Sequence, residues 1–188
     1  MSDSIFPRQG QTALFVIDIQ ERLLPAMPQE STQLMIRQTL ILIELAKEFG
    51  WPIYYSEQYP RGLGPTESSI LERLVDANAT RIEKVEFSAA RNEVFAQTIL
   101  PRLPSHVVVC GMETHICVLQ TVSDLQARGH QVFVANDAVA SRVESNRKNG
   151  LELMRQAGAV ETNTESLMFY YLQKAGGDVF KRFQKMIV

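Results

Sequence analysis

Val107-Val108-Val109-Cys110-Gly111-Met112-Glu113-Thr114-His115-Ile116-Cys117 is the stretch on which the reading of this chain turns. An apolar run stops at a glycine, a short polar turn follows, and Cys117 opens what reads as a helix to Arg128. Strand, tight turn and helix in that order are the unit of a parallel sheet. A thiol at a helix N-terminus feels the positive end of the macrodipole and nearby free backbone N–H groups, and both favour the thiolate. Cys117 is therefore the first candidate for a nucleophile. Cys110, inside the apolar run, reads as core filler.

The same alternation continues on either side. Ala13–Ile17 reads as a first strand ending at Asp18, and Gln33–Phe49 as a helix closed by Gly50. That helix is apolar on most sides, which calls for cover from another layer or another subunit. Pro52–Tyr55 is a second strand, Ser56–Pro65 a loop rich in Pro and Gly, Thr66–Ala77 a helix and Arg81–Val85 a weak third strand. Asn92–Leu100 reads as helical, His106–Cys110 as the fourth strand and Gln131–Ala135 as the fifth. Glu144–Ala157 is a helix, Ala159–Thr162 a sixth strand, and two short helical pieces finish the chain. Continuous apolar strands alternating with helices predict a three-layer α/β/α fold around a six-stranded, mostly parallel sheet. Ligands in such sheets sit beyond the carboxyl ends of the strands, where the strand order reverses. Asp18, Lys84 and Cys117 fall at or just past such ends and would converge there.

Composition narrows the class. With 188 residues, and no repeat or linker, the chain is expected to form one domain over 1–188. A formal charge of −2 supplies no basic field for nucleic acid. No apolar run is long enough for a membrane span, and the first residues lack a signal-peptide pattern. The two cysteines sit in different elements, so a reduced, cytoplasmic protein is expected.

The candidate side chains each have a structural reading too. Cys117 can be a buried helix residue that only packs, Asp18 a loop acceptor or cap, and Lys84 a solvated charge paired with Glu83 or Glu86. As a set they gain weight: Asp18 as general base, Lys84 holding that carboxylate ionised, and Cys117 as nucleophile. Phe15-Val16-Ile17-Asp18-Ile19-Gln20, Lys84-Val85-Glu86-Phe87-Ser88, Val109 to Cys117 and Asn136-Asp137-Ala138-Val139-Ala140-Ser141, in this order, resemble the isochorismatase-like cysteine hydrolases. That superfamily includes nicotinamidases and N-carbamoyl amidases, and the resemblance runs from about Thr12 to Met168. It implies the isochorismatase-like, Rossmann-like fold and an Asp18–Lys84–Cys117 triad. It also implies a cis peptide between Met112 and Glu113, and an oxyanion hole from the backbone N–H groups of Glu113 and Cys117. The implied reaction is hydrolysis of a small amide or related C–N or acyl bond through a thioester.

Two departures sharpen this expectation. Nicotinamidases carry an Asp-x-His metal cluster after the second strand, whereas Tyr55 to Pro65 contains no histidine and offers only Glu57. Three or four ligands are the usual requirement of such a site, so no metal and no cofactor is expected. Cleavage of isochorismate's vinyl ether needs no cysteine, so Cys117 favours C–N or acyl chemistry. Gln20, Gln58, Tyr59, Phe87 and Thr114 are candidate substrate contacts. The competing readings are a catalytically silent scaffold or oligomeric interaction protein of the same fold, and a redox-sensing thiol at Cys117. Self-association as a dimer or larger is expected, through Leu34–Ala46 or the helix after Cys117.

Overall fold

A computed structural model describes residues 5–187. Six parallel strands form one sheet: β1 (Thr12–Ile17), β2 (Ile53–Gln58), β3 (Thr80–Lys84), β4 (His106–Met112), β5 (Gln131–Ala140) and β6 (Val160–Thr162), in the spatial order β3-β2-β1-β4-β5-β6. The chain builds outward from β1 to one edge, returns to the centre at β4, and then builds to the other edge. The order therefore reverses between β1 and β4.

Because crossovers between parallel strands share one hand, reversing direction moves the connecting helices to the opposite face. Helices α1 (Gln29–Glu48) and α3 (Ser68–Asp76) lie on one face, joined there by α6 (Thr164–Leu172) and α7 (Gly177–Ile187). Helices α4 (Leu119–Ala127) and α5 (Glu144–Gln156) lie on the other, with the segment 89–103. A single turn of helix, α2 (Pro60–Leu63), follows β2. Strand β1 splits its side chains between the layers, Leu14 and Val16 to the first and Ala13, Phe15 and Ile17 to the second. All six β1 residues are buried, as a central parallel strand requires.

The apolar character of α1 is resolved within the chain. Ile41, Leu42, Ile43, Leu45 and Ala46 are all buried in the core that includes residues of α3, α6 and α7, while Leu34 remains 45% exposed. The helix starts four residues earlier than its apolar pattern, because Pro28 permits a helix to begin after it and Gln29 to Thr32 form a polar first turn. The segment expected as a helix over 92–100 is a π-helical turn at Phe95–Ile99 flanked by 3₁₀ turns. Pro101 lacks the N–H that would continue it.

Three strands run further than their apolar sequence. Strand β2 continues through Ser56, Glu57 and Gln58, β4 reaches Met112, and β5 extends from Ala135 to Ala140. All three extensions lie at the carboxyl edge. Gly111 packs there against β1 with φ +126°, and a Cβ on it would lie 2.0 Å from the Ile17 carbonyl oxygen. Only glycine lets β4 bend past β1 at this point. Among the described residues no helix is long and apolar enough to cross a membrane.

Candidate active site

At the carboxyl edge Ile17 stands in register with Ser56 of β2 on one side and with Gly111 of β4 on the other. The next residue, Asp18, has φ +50° and is fully buried. A left-handed aspartate is tolerated because its short side chain bonds locally. Here it turns the carboxylate toward two donors. Ser56 Oγ donates to Oδ1 at 2.7 Å and Lys84 Nζ to Oδ2 at 2.6 Å.

Lys84 closes the last rung of β3, opposite Gln58. Its side chain, like that of Asp18, is 0% exposed. The ammonium faces four acceptors: Asp18 Oδ2, Gln58 Oε1 at 2.8 Å, and the carbonyls of Glu86 and Phe87, each at 3.2 Å. A fully buried lysine is expensive unless paired and hydrogen-bonded, and this one is both. It is not the solvated surface charge that Glu83 and Glu86 suggested. Glu83 pairs with Arg81 instead.

Cys117 lies in a π-helical turn, Thr114–Val118, that precedes α4. It is 7% exposed and belongs to the core layer opposite that of Cys110. Both thiols are free. The expectation of a ready-made thiolate is corrected here. Burial pushes the Cys117 thiol up to about 12, and the negative charge of the Asp18 carboxylate pushes the same way against the opposing pull of Lys84. The loss of hydration outweighs the helix terminus, so the resting group is a thiol with a carboxylate at hand to deprotonate it.

The Met112–Glu113 peptide is cis. Around it the turn is tied to the β5–α5 connection. Glu113 Oε2 accepts from the Arg142 backbone N–H at 3.0 Å and from Arg142 Nε at 3.2 Å, and His115 Nδ1 lies 3.1 Å from Ser141 Oγ. Behind the turn, α5 presents Gly150, where a Cβ would sit 2.9 Å from the Thr114 carbonyl oxygen and from His115 Cα.

The remaining candidates separate by position. Gln20 is fully buried and its amide is spent on the chain: Nε2 donates to the carbonyls of Gln58 and Gly64, and Oε1 accepts from the Gln58 N–H. It shapes the loop after β2, with both amide atoms hydrogen-bonded to backbone. Gln58 splits its amide between Lys84 and the Val85 carbonyl. Tyr59 and Phe87 are each 55% exposed. Tyr59 borders a cavity of about 380 Å³ that Arg61, Glu83, Lys84, Val85 and Asn92 also line. Thr114 is fully buried, with no partner for its hydroxyl among the described residues.

Glu57 does not stand ready for a metal. One oxygen accepts from the Thr66 N–H and hydroxyl, and the other from Arg81. Among the described residues no group of three or more His, Cys, Asp or Glu side chains gathers as a metal site would require. The set at this position does not fit the nicotinamidase cluster.

Ser56 and Gly150 were not singled out from sequence, Ser141 appeared there only as the end of the motif at 136–141, and Arg142 read as part of a solvated basic patch with Arg147 and Lys148. Ser56 carried a signal in retrospect: a parallel β2 paired to β1 must bring its polar end beside Asp18.

The architecture has counterparts among known proteins. Residues 12–166 match the family described as Isochorismatase domain. The secreted isochorismatase effector Isc1 of Phytophthora sojae is 38% identical over 179 residues, 94% of this chain and 84% of the relative. A structure of MAR1 ribonuclease from Caenorhabditis elegans superposes with a TM-score of 0.86 at 34% identity, covering 97% of this chain and 92% of that one. Escherichia coli YcaC, described as an octameric hydrolase, gives a TM-score of 0.84 over 100% of this chain and 97% of its own, and its 20% identity speaks to the fold alone.

Proposed function

The chain belongs to the isochorismatase family and is a hydrolase of that family; from this premise we propose that residues 1–188 form a single cysteine-hydrolase domain acting on a small amide or a related C–N or acyl substrate. Asp18, Lys84 and Cys117 are its catalytic groups. The observation that carries the reading is the Asp18–Lys84 ion pair, fully buried beside a thiol that burial keeps protonated. A hydrophobic core gains little from such a pair, since the cost of desolvating it rivals the attraction it provides. A nucleophile that must be deprotonated during the reaction has direct use for it.

The steps follow from those roles. Asp18 accepts the Cys117 proton as sulfur attacks the substrate carbonyl carbon, forming the C–S bond and placing charge on the carbonyl oxygen. The backbone N–H groups of Glu113 and Cys117 stabilise that oxyanion, and the Lys84 ammonium offsets the negative charge of the site. Collapse breaks the C–N bond, and the departing amine takes the proton from Asp18. Water then attacks the thioester, giving one proton back through Asp18 to sulfur and releasing the acid. Tyr59, Phe87 and Thr114 are the proposed substrate contacts. No step uses a metal or a cofactor.

Intact-mass spectrometry of wild type and Cys117→Ala after incubation with small amides, ureas and aldehydes tests this reading. An adduct on wild type alone is the expected result. Full turnover by Cys117→Ala of a substrate the wild type hydrolyses, or failure of every electrophile including iodoacetamide to label Cys117, refutes it. The same proposal includes self-association, for which the exposed Val85 and Val94 provide apolar surface, since the apolar sides of α1 and α4 that the sequence offered are buried within the chain. Sedimentation as a monomer would refute that part. It also includes residence in a reducing compartment, where two free cysteines persist. Fractionation that finds the protein outside the cytoplasm would refute this.

A further inference from the structure

Glu113 poses a problem that its backbone role does not solve. Its side chain is 9% exposed, and it heads the turn that carries the thiol: its carbonyl accepts from the N–H groups of Ile116 at 3.0 Å and Val118 at 3.3 Å, on either side of Cys117. Its charge acts on the sulfur more weakly than those of Asp18 and Lys84. Lys84 is already committed to Asp18 at 2.6 Å. A second carboxylate beside a thiol that must ionise works against catalysis, because like charge opposes the thiolate. The structure answers with Arg142. Its Nε lies 3.1 Å from Glu113 Oε1 and 3.2 Å from Oε2, while its backbone N–H holds Oε2 at 3.0 Å. Arg142 sits just past β5, and Glu113 just past β4, so the pair bridges two strand ends directly above the nucleophile turn. The only other titratable group on that turn, His115, is turned to Ser141.

We propose that Arg142 is a positioning residue for the nucleophile, acting through Glu113: it ties the Glu113 carboxylate to the end of β5 and neutralises it beside Cys117. The proposal rests on the reading of Cys117 as the nucleophile. The hydrogen bonds of the Arg142 side chain go to Glu113 and none to the Cys117 sulfur, and its guanidinium is more than half exposed, so its loss leaves the core intact. What its loss leaves behind is an uncompensated carboxylate.

The test is the second-order rate of iodoacetamide alkylation at Cys117, located by peptide mass mapping. Rates are followed from about pH 7 to about pH 10, where the thiolate fraction controls them. Peptide mapping separates Cys117 from Cys110, which lies on the opposite face of the sheet. Arg142→Ala should slow alkylation by roughly three- to tenfold at each pH, the size expected for unmasking one nearby charge. Arg142→Lys, which keeps the charge, should recover most of the rate. Adding Glu113→Gln to Arg142→Ala should also restore it, because no unbalanced carboxylate is left. Thermal melts of all variants confirm that folded protein is compared. Alkylation of Arg142→Ala at the wild-type rate overturns the proposal. So does a Glu113→Gln/Arg142→Ala double variant no faster than Arg142→Ala, which would make the pair a tether and nothing more. If wild-type Cys117 is inert to iodoacetamide, the hydrolase reading itself fails first and takes this one with it.

Discussion

Cutting the Asp18–Lys84 pair from its two ends should have very unequal costs. Lys84→Met removes the ammonium and leaves Asp18 fully buried, with the Ser56 hydroxyl as its remaining side-chain donor among the described residues. An ion pair broken this way strands a charge in the interior, at a cost of about 3–5 kcal/mol. Asp18→Asn is gentler. The ammonium keeps Gln58 Oε1 and the carbonyls of Glu86 and Phe87, and the amide can present its oxygen to Lys84 while its NH₂ meets Ser56 Oγ. What is lost is the negative charge on the acceptor, which weakens that hydrogen bond by about 1–3 kcal/mol. The double variant Asp18→Asn/Lys84→Met buries no charge, and its cost should fall short of the sum of the singles by on the order of 2 kcal/mol. Urea unfolding of the four proteins at neutral pH closes the cycle. If Asp18→Asn costs as much as Lys84→Met, the three further acceptors do not sustain the ammonium. If the singles simply add, the pair is not coupled. Either result refutes the energetic reasoning.

Other outcomes follow from the same geometry. Gly150→Ala forces a methyl to within 2.9 Å of the Thr114 carbonyl and His115 Cα. It should cost about 1–3 kcal/mol in urea unfolding and slow alkylation of Cys117, by displacing the turn from behind. Alkaline pH should destabilise the fold through both thiols. Cys110 and Cys117 are each pushed up to about 12, above the ordinary cysteine range, chiefly by burial. The stability they contribute is complete below about pH 9 and is lost as pH rises through about 12, on the order of a few kcal/mol for each. Cys110→Ala should therefore lose less stability than wild type between about pH 8 and about pH 11, whatever its cost at neutrality. Equal slopes for the two proteins would refute this.

The strands and their layers could be read in advance because apolar runs bounded by Gly, Pro and polar turns carry their own signal. Asp18, Lys84 and Cys117 could be placed at one edge because parallel strands share a carboxyl end. The polar end of β2 could not, since Ser56-Glu57-Gln58 reads as the start of a loop. Their burial is sustained by partners tens of residues away: Asp18 for Ser56, Arg81 for Glu57, Lys84 for Gln58. The same limit applies to the thiol. A helix terminus is visible in sequence, whereas the core packed around Cys117, which reverses the sign of the effect, is not. Gln20 looked like a site residue because it follows Asp18 by two positions; its side chain turns the other way, into the backbone of the loop after β2.

The strand order has a consequence for the chain as it is made. Asp18 and Lys84 are 66 residues apart, and the turn bearing Cys117 is backed by residues as late as Gly150. Loops of that length must close before any of these contacts repays the ordering. Until α5 has emerged and docked, Cys117 is an ordinary thiol in an open chain, ionising in its usual range and open to any oxidant or electrophile nearby. Folding makes the thiol quieter. The vulnerable period for this cysteine is its synthesis, and a ribosome-stalled chain ending before Gly150 should be labelled faster at Cys117 by a general thiol reagent than the finished protein is.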